Sequence, residues 1–263
     1  MTRLVTCPLD GKIPSFLFTH TIHLSTFQIK AVEVSIGWLE QDNVTADSSE
    51  LSLILKQKPG LNVLFWQWIL QVTRDDLQKW QEQILWDAKL STLNEDIKIY
   101  FQLVEEQLLF PDLIQHIAQI STNLALDINS IILETPEFCI LKHPDLIHKI
   151  IRQVSQIRFS LSIDKLSTEY LALNSQYNFP IENIKIDSCL VEDSPNQKGL
   201  VEKLSSLTNE LNMVILAKGI KNSSTLKSCQ QLGLNFGMGS FIAPFVPAQD
   251  ISDFLQNIPE TKL

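Results

Sequence analysis

Glu33, Glu134, Asp164, Lys185 and Asp187 each stand at or just beyond the C-terminal end of a short apolar run. Such runs read as buried strands, and in a βα barrel the C-terminal strand ends converge on one mouth, so residues distant in sequence share a pocket. Oxygen ligands of this kind suit magnesium or manganese, and two such ions are a recurrent device for hydrolysing phosphodiesters. Acidic residues at strand ends also cap helices or meet neighbouring cations, and that reading stays open. Two lysines sit where a metal site would want acids: Lys165 in Leu161-Ser-Ile-Asp-Lys-Leu166 and Lys218 in Val214-Ile-Leu-Ala-Lys-Gly219. A protonated ammonium has no lone pair, so it cannot ligate a cation and repels one nearby.

The elements that must position these groups are legible as alternating β-rich and amphipathic segments, the pattern of βα units around a parallel sheet. Strands are expected at Ile97–Leu103, Ser130–Glu134, Arg158–Asp164, Ile184–Asp187, Met213–Ala217 and Phe236–Ile242. Helices are expected around Leu108 to Asn123, from Pro144 to Ile157, near Tyr170, from Gln197 to Asn212, through Ser223 to Leu232 and near Asp250. Upstream, Phe16–Leu24 and Gln28–Ile36 are separated by too few residues for a helical crossover and predict an antiparallel hairpin. Polar residues Gln41 to Glu50 predict a surface loop before a helical stretch reaching about Asp87. The expectation is an α/β fold in one domain over residues 1–263: a TIM-like (β/α)8 barrel with an antiparallel first hairpin and a barrel core at about 16–245.

Composition narrows the function classes. The chain has 263 residues, is 44% hydrophobic and 19% charged, and can bury one large core. A net charge of -9 argues against broad attraction to nucleic acid or an anionic membrane. The opening residues hold no signal-like apolar core, and Leu61–Leu70 is too short to span a bilayer and reads as a buried helix. Cys7, Cys139, Cys189 and Cys229 lack CxxC pairing, which suits reduced thiols and a cytoplasmic location. Cys139, His143 and His148 do not match a zinc spacing and read as ordinary partly buried or surface residues. Trp66, Trp68, Trp80 and Trp86 are irregularly spaced on helices and read as core, not an interface stripe.

Several segments, in order, carry a family resemblance. Val32-Glu-Val-Ser-Ile-Gly-Trp38 stands where one family of bacterial proteins has Glu-Ala-Leu, with the glutamate and tryptophan kept. Phe101-Gln-Leu-Val-Glu-Glu-Gln-Leu108 resembles its Val-Asn-Leu-Ser strand end, Glu134-Thr-Pro-Glu137 its Glu-Ile-Thr-Glu, and Asp164-Lys-Leu-Ser its Asp-Asp-Phe-Gly. Phe179-Pro-Ile-Glu-Asn-Ile-Lys-Ile-Asp187 is close to Leu-Pro-Val-Asp-x-Leu-Lys-Ile-Asp. Ala217-Lys-Gly-Ile-Lys221 follows where Ala-Glu-Gly-Val-Glu is usual, and Gly237–Pro244 where a Gln-Gly-Tyr stretch leads to a proline. From about Phe16 to Pro244 the chain therefore resembles the EAL-domain family, phosphodiesterases that hydrolyse cyclic di-GMP on a TIM-like barrel with one antiparallel strand.

The resemblance implies metal ligands at Glu33, Gln102, Glu134, Asp164, Lys165 and Lys218, with Lys185 near the attacking water. Gln102 keeps an amide oxygen but adds a methylene to the usual asparagine. Lys165 and Lys218 replace acids, and even a screened like-charge contact at about 4 Å costs roughly 1 to 4 kcal/mol. Substrate contacts are thinned too: Gly37 stands for an arginine, Thr19 for a glutamine, Lys221 for a glutamate and Met238 for a glutamine. The implied pocket is vestigial, comprising Glu33, Gln102, Glu134, Glu137, Asp164, Lys165, Lys185, Asp187, Lys218, Lys221 and Met238, with no metal and no cofactor.

Without a cation among them, Glu33, Glu134 and Asp164 would repel one another and have raised pKa values, so Lys165 or Lys218 is expected to serve as that cation. The alternative is that both lysines point to solvent. Three functions follow: a non-catalytic regulator acting through contacts with an unidentified protein; a receptor that binds cyclic di-GMP without cleaving it; or, least favoured, an active phosphodiesterase using one metal at Glu33, Glu134 and Asp164. A homodimer is compatible with each; direct nucleic-acid binding and membrane insertion are not expected.

Overall fold

The computed structural model describes residues 14–26, 28–40, 43–46, 48–86, 97–164, 181, 183–187 and 213–247. In chain order its elements begin with β1 (Pro14–His23), β2 (Ile29–Glu40), β3 (Asn43–Ala46), α1 (Ser48–Gln57), α2 (Leu61–Trp86) and β4 (Lys98–Gln102). These are followed by α3 (Glu105–Leu108), α4 (Leu113–Asn123), β5 (Ile131–Pro136), α5 (Glu137–Lys142), α6 (Pro144–Ile157) and β6 (Ser160–Asp164). The chain continues through β7 (Asn183–Asp187), β8 (Val214–Lys218), α7 (Ser223–Gln231), β9 (Phe236–Met238) and β10 (Val246–Pro247). Among the described residues no helix is long and apolar enough to cross a membrane.

The sheet runs β10-β1-β9-β8-β7-β6-β5-β4-β2-β3, and a further β1–β2 pairing closes it into an eight-stranded barrel with β3 and β10 outside the ring. Every step from β2 through β4 to β9 is parallel, whereas β1 is antiparallel to both its neighbours, β2 and β9. This is the expected barrel, including its single reversed strand.

Strand alternation sorts the side chains into two environments. Val32, Val34, Phe101, Leu133, Leu161, Ile163, Ile184, Ile186, Ile215 and Ala217 face outward into the large apolar core shared with the helices. Trp66 of α2 stacks edge-on against Phe101 at 5.7 Å, and Trp80 meets Phe18 of β1 at 5.0 Å. Trp66, Trp68 and Trp80 are all buried, as a core role requires, while the side chain of Trp86 lies outside the described residues. Inside the barrel, Ala31, Tyr100 and Ile132 form a separate small apolar cluster. Glu33, Glu134, Ser162 and Lys185 occupy the same lumen-facing parity on their strands, and all are buried.

Three local expectations are corrected. The polar segment expected as a loop contains β3, which pairs antiparallel with β2 from Gly37↔Ala46 to Glu40↔Asn43. β2 continues past its pairing with β4, and the β-branched Val44 and Thr45 suit the extended partner it needs. The helix expected from Leu108 to Asn123 is two helices, α3 and α4, split at Pro111 and at Asp112 with its φ of 54°. The strand expected to Ile242 ends at Met238, because Gly219 and Ile220 N–H both donate to the Met238 carbonyl and Gly239 turns the chain at φ 152°. The helices expected near Tyr170, from Gln197 to Asn212 and near Asp250 lie outside the described residues.

At Gly239 a Cβ would lie 2.2 Å from the Ile220 nitrogen and 2.4 Å from its oxygen, so only glycine fits. Gly239→Ala is expected to lower the unfolding free energy by about 2 kcal/mol or more, measured by chemical denaturation, since backbone atoms must move as well as a strained φ being imposed.

Candidate functional site: a charged lumen

Lys185 is the centre of the lumen. Its ammonium donates to Glu33 Oε2 at 2.6 Å and to Glu134 Oε2, and lies 4.2 Å from the centroid of the Tyr100 ring. The side chains of all three charged residues are at most 2% exposed. In the ring order β7 and β2 stand on opposite sides, so Lys185 spans the barrel. Lys218, on β8, forms a second bridge: its ammonium lies 3.0 Å from Asp164 Oδ2 on β6 and 3.6 Å from Glu33 Oε1. The Gln102 amide reaches Asp164 Oδ2 at 3.5 Å, a marginal contact.

Burial alone would raise both glutamate pKa values, because it penalises the charged form. At Glu33 the Lys185 and Lys218 ammonium groups outweigh burial and hold the carboxyl down at about 2. At Glu134 burial prevails, with the Glu33 and Asp164 charges adding to it against the pull of the lysines, and pushes the carboxyl up to about 7. Burial opposes the charge on Lys185, yet Glu134 and Glu33 raise its pKa; Lys218 is raised against burial chiefly by Glu33. Both lysines are therefore cations, and a proton on Glu134 leaves two carboxylates balancing two ammonium groups.

The structure brings together Glu33, Gln102, Glu134, Asp164, Lys185 and Lys218. Lys218 points into the carboxylates, not to solvent, with its side chain 24% exposed. Lys185 is the principal cation between two glutamates. Glu33 lies mid-strand, because β2 continues to Glu40. Met238 is buried and in register with Lys218, and Glu137 is buried at the first position of α5. Asp187 is exposed at the end of β7. Lys221, three residues beyond Lys218, is also exposed. Lys165 and the reading attached to it lie outside the described residues.

Tyr100 and Ser162 were not singled out from the sequence. Tyr100 shares parity with Gln102, a signal available in Ile97–Leu103, and Ser162 interrupts an apolar strand two residues before Asp164. Cys139 is buried, and its thiol is pushed up to about 12, chiefly by burial. His143 pairs with Glu105 at 2.8 Å, in keeping with the ordinary reading of both residues.

The divalent pair implied by the resemblance does not fit this arrangement. An ion held by Glu33 and Asp164 would stand against the Lys218 ammonium, which is 3.6 Å from Glu33 Oε1 and 3.0 Å from Asp164 Oδ2.

The site thus lies within a closed eight-stranded α/β barrel with one reversed strand and carboxylates on its inner wall. The EAL domain family profile matches residues 16–245, and the chain belongs to that family. It is 22% identical over 224 residues to the cyclic di-GMP phosphodiesterase PdeR of Escherichia coli, covering 84% of this chain and 32% of PdeR. It is 21% identical to the cyclic di-GMP phosphodiesterase PA2567 of Pseudomonas aeruginosa, covering 89% of this chain and 39% of that protein. The chain thus spans well under half the length of these relatives. Among solved structures, the EAL enzyme Bd1971 with cAMP and cyclic di-GMP bound superposes with a TM-score of 0.78 at 19% identity, covering 92% of this chain and 64% of that one. The EAL domain of FimX from Pseudomonas aeruginosa, bound to cyclic di-GMP, gives 0.69 at 15% identity, covering 88% and 90%.

The two glutamates carry opposite pH dependences. Glu33 has a folded pKa near 2 against an ordinary 4.5, so its stabilisation is complete above 4.5 and is lost as pH falls toward 2. Glu134 has a folded pKa near 7, so the native state holds the extra proton, and its stabilisation is lost as pH rises from 4.5 through 7. The stability advantage of the wild type over Glu134→Gln is therefore expected to shrink by on the order of 2 kcal/mol between about pH 5 and about pH 7.5. Urea unfolding of both proteins across that range measures it; a constant difference would contradict the assignment.

Proposed function

We propose that this chain is a non-hydrolytic EAL domain, a regulator that acts through contacts with another protein. The observation that carries the reading is the Lys218 ammonium, 3.0 Å from Asp164 and 3.6 Å from Glu33, where the family resemblance calls for a metal ion. Two-ion hydrolysis uses cations to generate the attacking hydroxide and to clamp both the entering and leaving oxygens. A lysine ammonium can neutralise carboxylates, but it cannot bind and acidify a water as a metal does. Lys165, at a second acidic position of the family, adds to the same departure.

A second reading, a receptor that binds cyclic di-GMP without cleaving it, is favoured by the solved neighbours named with that nucleotide. Gly37 and Met238 weigh against it, because the arginine and glutamine usual there would have supplied polar contacts.

Incubation of the purified chain with cyclic di-GMP and manganese or magnesium is expected to yield no linear dinucleotide above the protein-free control. Product that disappears in Glu33→Ala would overturn the proposal. Titration calorimetry separates the remaining readings: no heat up to about 100 μM nucleotide supports protein contacts, while low-micromolar binding supports the receptor.

A further inference from the structure

Three buried oxygens of the charged lumen have nothing to bind, and once Glu134 gives up its proton the lumen also holds one negative charge more than its lysines balance. With all groups ionised, Glu33, Glu134 and Asp164 face only Lys185 and Lys218. Glu134 Oε1, Asp164 Oδ1 and Ser162 Oγ are buried and have no hydrogen-bond partner. Buried polar atoms are rarely left unsatisfied, and a group of them points to a bound ion or water.

These atoms share one stretch of inner wall. Ser162 pairs in register with Glu134 across β5 and β6, and Asp164 follows it with the same parity. Leu161 and Ile163, the residues alternating with them, belong to the outer core. Ser162 is wholly buried and, by that alternation, faces the lumen with the two carboxylates. Lys185 and Lys218 engage the other oxygen of each carboxylate, Glu134 Oε2 and Asp164 Oδ2. Both ammonium groups are thus committed to the opposite oxygens, leaving an all-oxygen face on β5 and β6.

We propose that Glu134 Oε1, Ser162 Oγ and Asp164 Oδ1 bind one alkali-metal cation, sodium or potassium. Hard oxygen donors suit such an ion. One positive charge completes the balance of three carboxylates against two ammonium groups, whereas a divalent ion overshoots it beside two fixed cations. The inference rests on the non-hydrolytic reading, in which divalent ions do not occupy the lumen. It assigns a role to Ser162, whose hydroxyl is otherwise a buried donor without an acceptor.

The test is thermal unfolding of the full chain at about pH 8 in potassium chloride, sodium chloride or choline chloride at constant ionic strength. The alkali salts are expected to raise Tm saturably over choline by about 3 °C at roughly ten times the dissociation constant. Ser162→Ala is expected to weaken the half-saturation concentration at least about fivefold, and Glu134→Gln, which removes a ligand charge with little change of shape, to abolish the effect. Equal melting in all three salts overturns this inference and leaves the non-hydrolytic reading standing. An alkali effect unchanged in both variants also overturns it, because the ion then binds elsewhere. A larger rise with millimolar manganese, lost in Glu134→Gln, overturns both readings together.

Discussion

The buried Lys185 ammonium is the interaction on which the lumen depends. It joins β7 to β2 and β5 through Glu33 and Glu134, across a space that barrels commonly fill with branched apolar side chains. Burying such charges costs several kcal/mol each unless they are paired and hydrogen-bonded, so the arrangement holds only as a set. Removing Lys185 would strand two buried glutamates, whereas removing both glutamates would strand a buried cation. Ala31, Tyr100 and Ile132 form a buried apolar cluster on the same inner wall, with the Lys185 ammonium 4.2 Å from the centroid of the Tyr100 ring.

Lys218 adds what the first bridge lacks. Asp164 has no contact with Lys185 among the ion pairs described, and Lys218 ties it to Glu33, so β6 and β8 join the same brace. On the non-hydrolytic reading, the positive charge that metals would bring from solution is carried covalently. A covalent cation cannot dissociate, exchange or acidify a water molecule, which is why the same substitution that preserves the barrel's shape bears on its chemistry.

The barrel was legible because alternation and family order agree. Val32-Glu33-Val34 and Ile184-Lys185-Ile186 each set a charge between apolar neighbours and Glu134 follows apolar Leu133, and the structure sends these apolar neighbours outward and the charge inward. That Lys165 or Lys218 would act as a cation among the acids followed from repulsion between them, and the structure places Lys218 there. The larger part played by Lys185 did not follow, because a four-carbon stem reaches carboxylates on several strands and sequence spacing does not say which. Ser162 was silent for a different reason: a serine in a strand signals nothing until its neighbours on the next strand are known. β3 was missed because its pairing depends on how far β2 extends past the barrel, a tertiary matter that polar composition hides.

The central claim is that the Lys218 ammonium holds the place of a metal ion, and Lys218→Glu tests it most directly when its thermal stability is followed against manganese concentration. The account predicts that the variant melts several degrees below wild type without metal, that millimolar manganese restores it, and that wild type does not respond. A wild type stabilised by manganese as much as the variant, or a variant that loses nothing without metal and gains nothing with it, would contradict it.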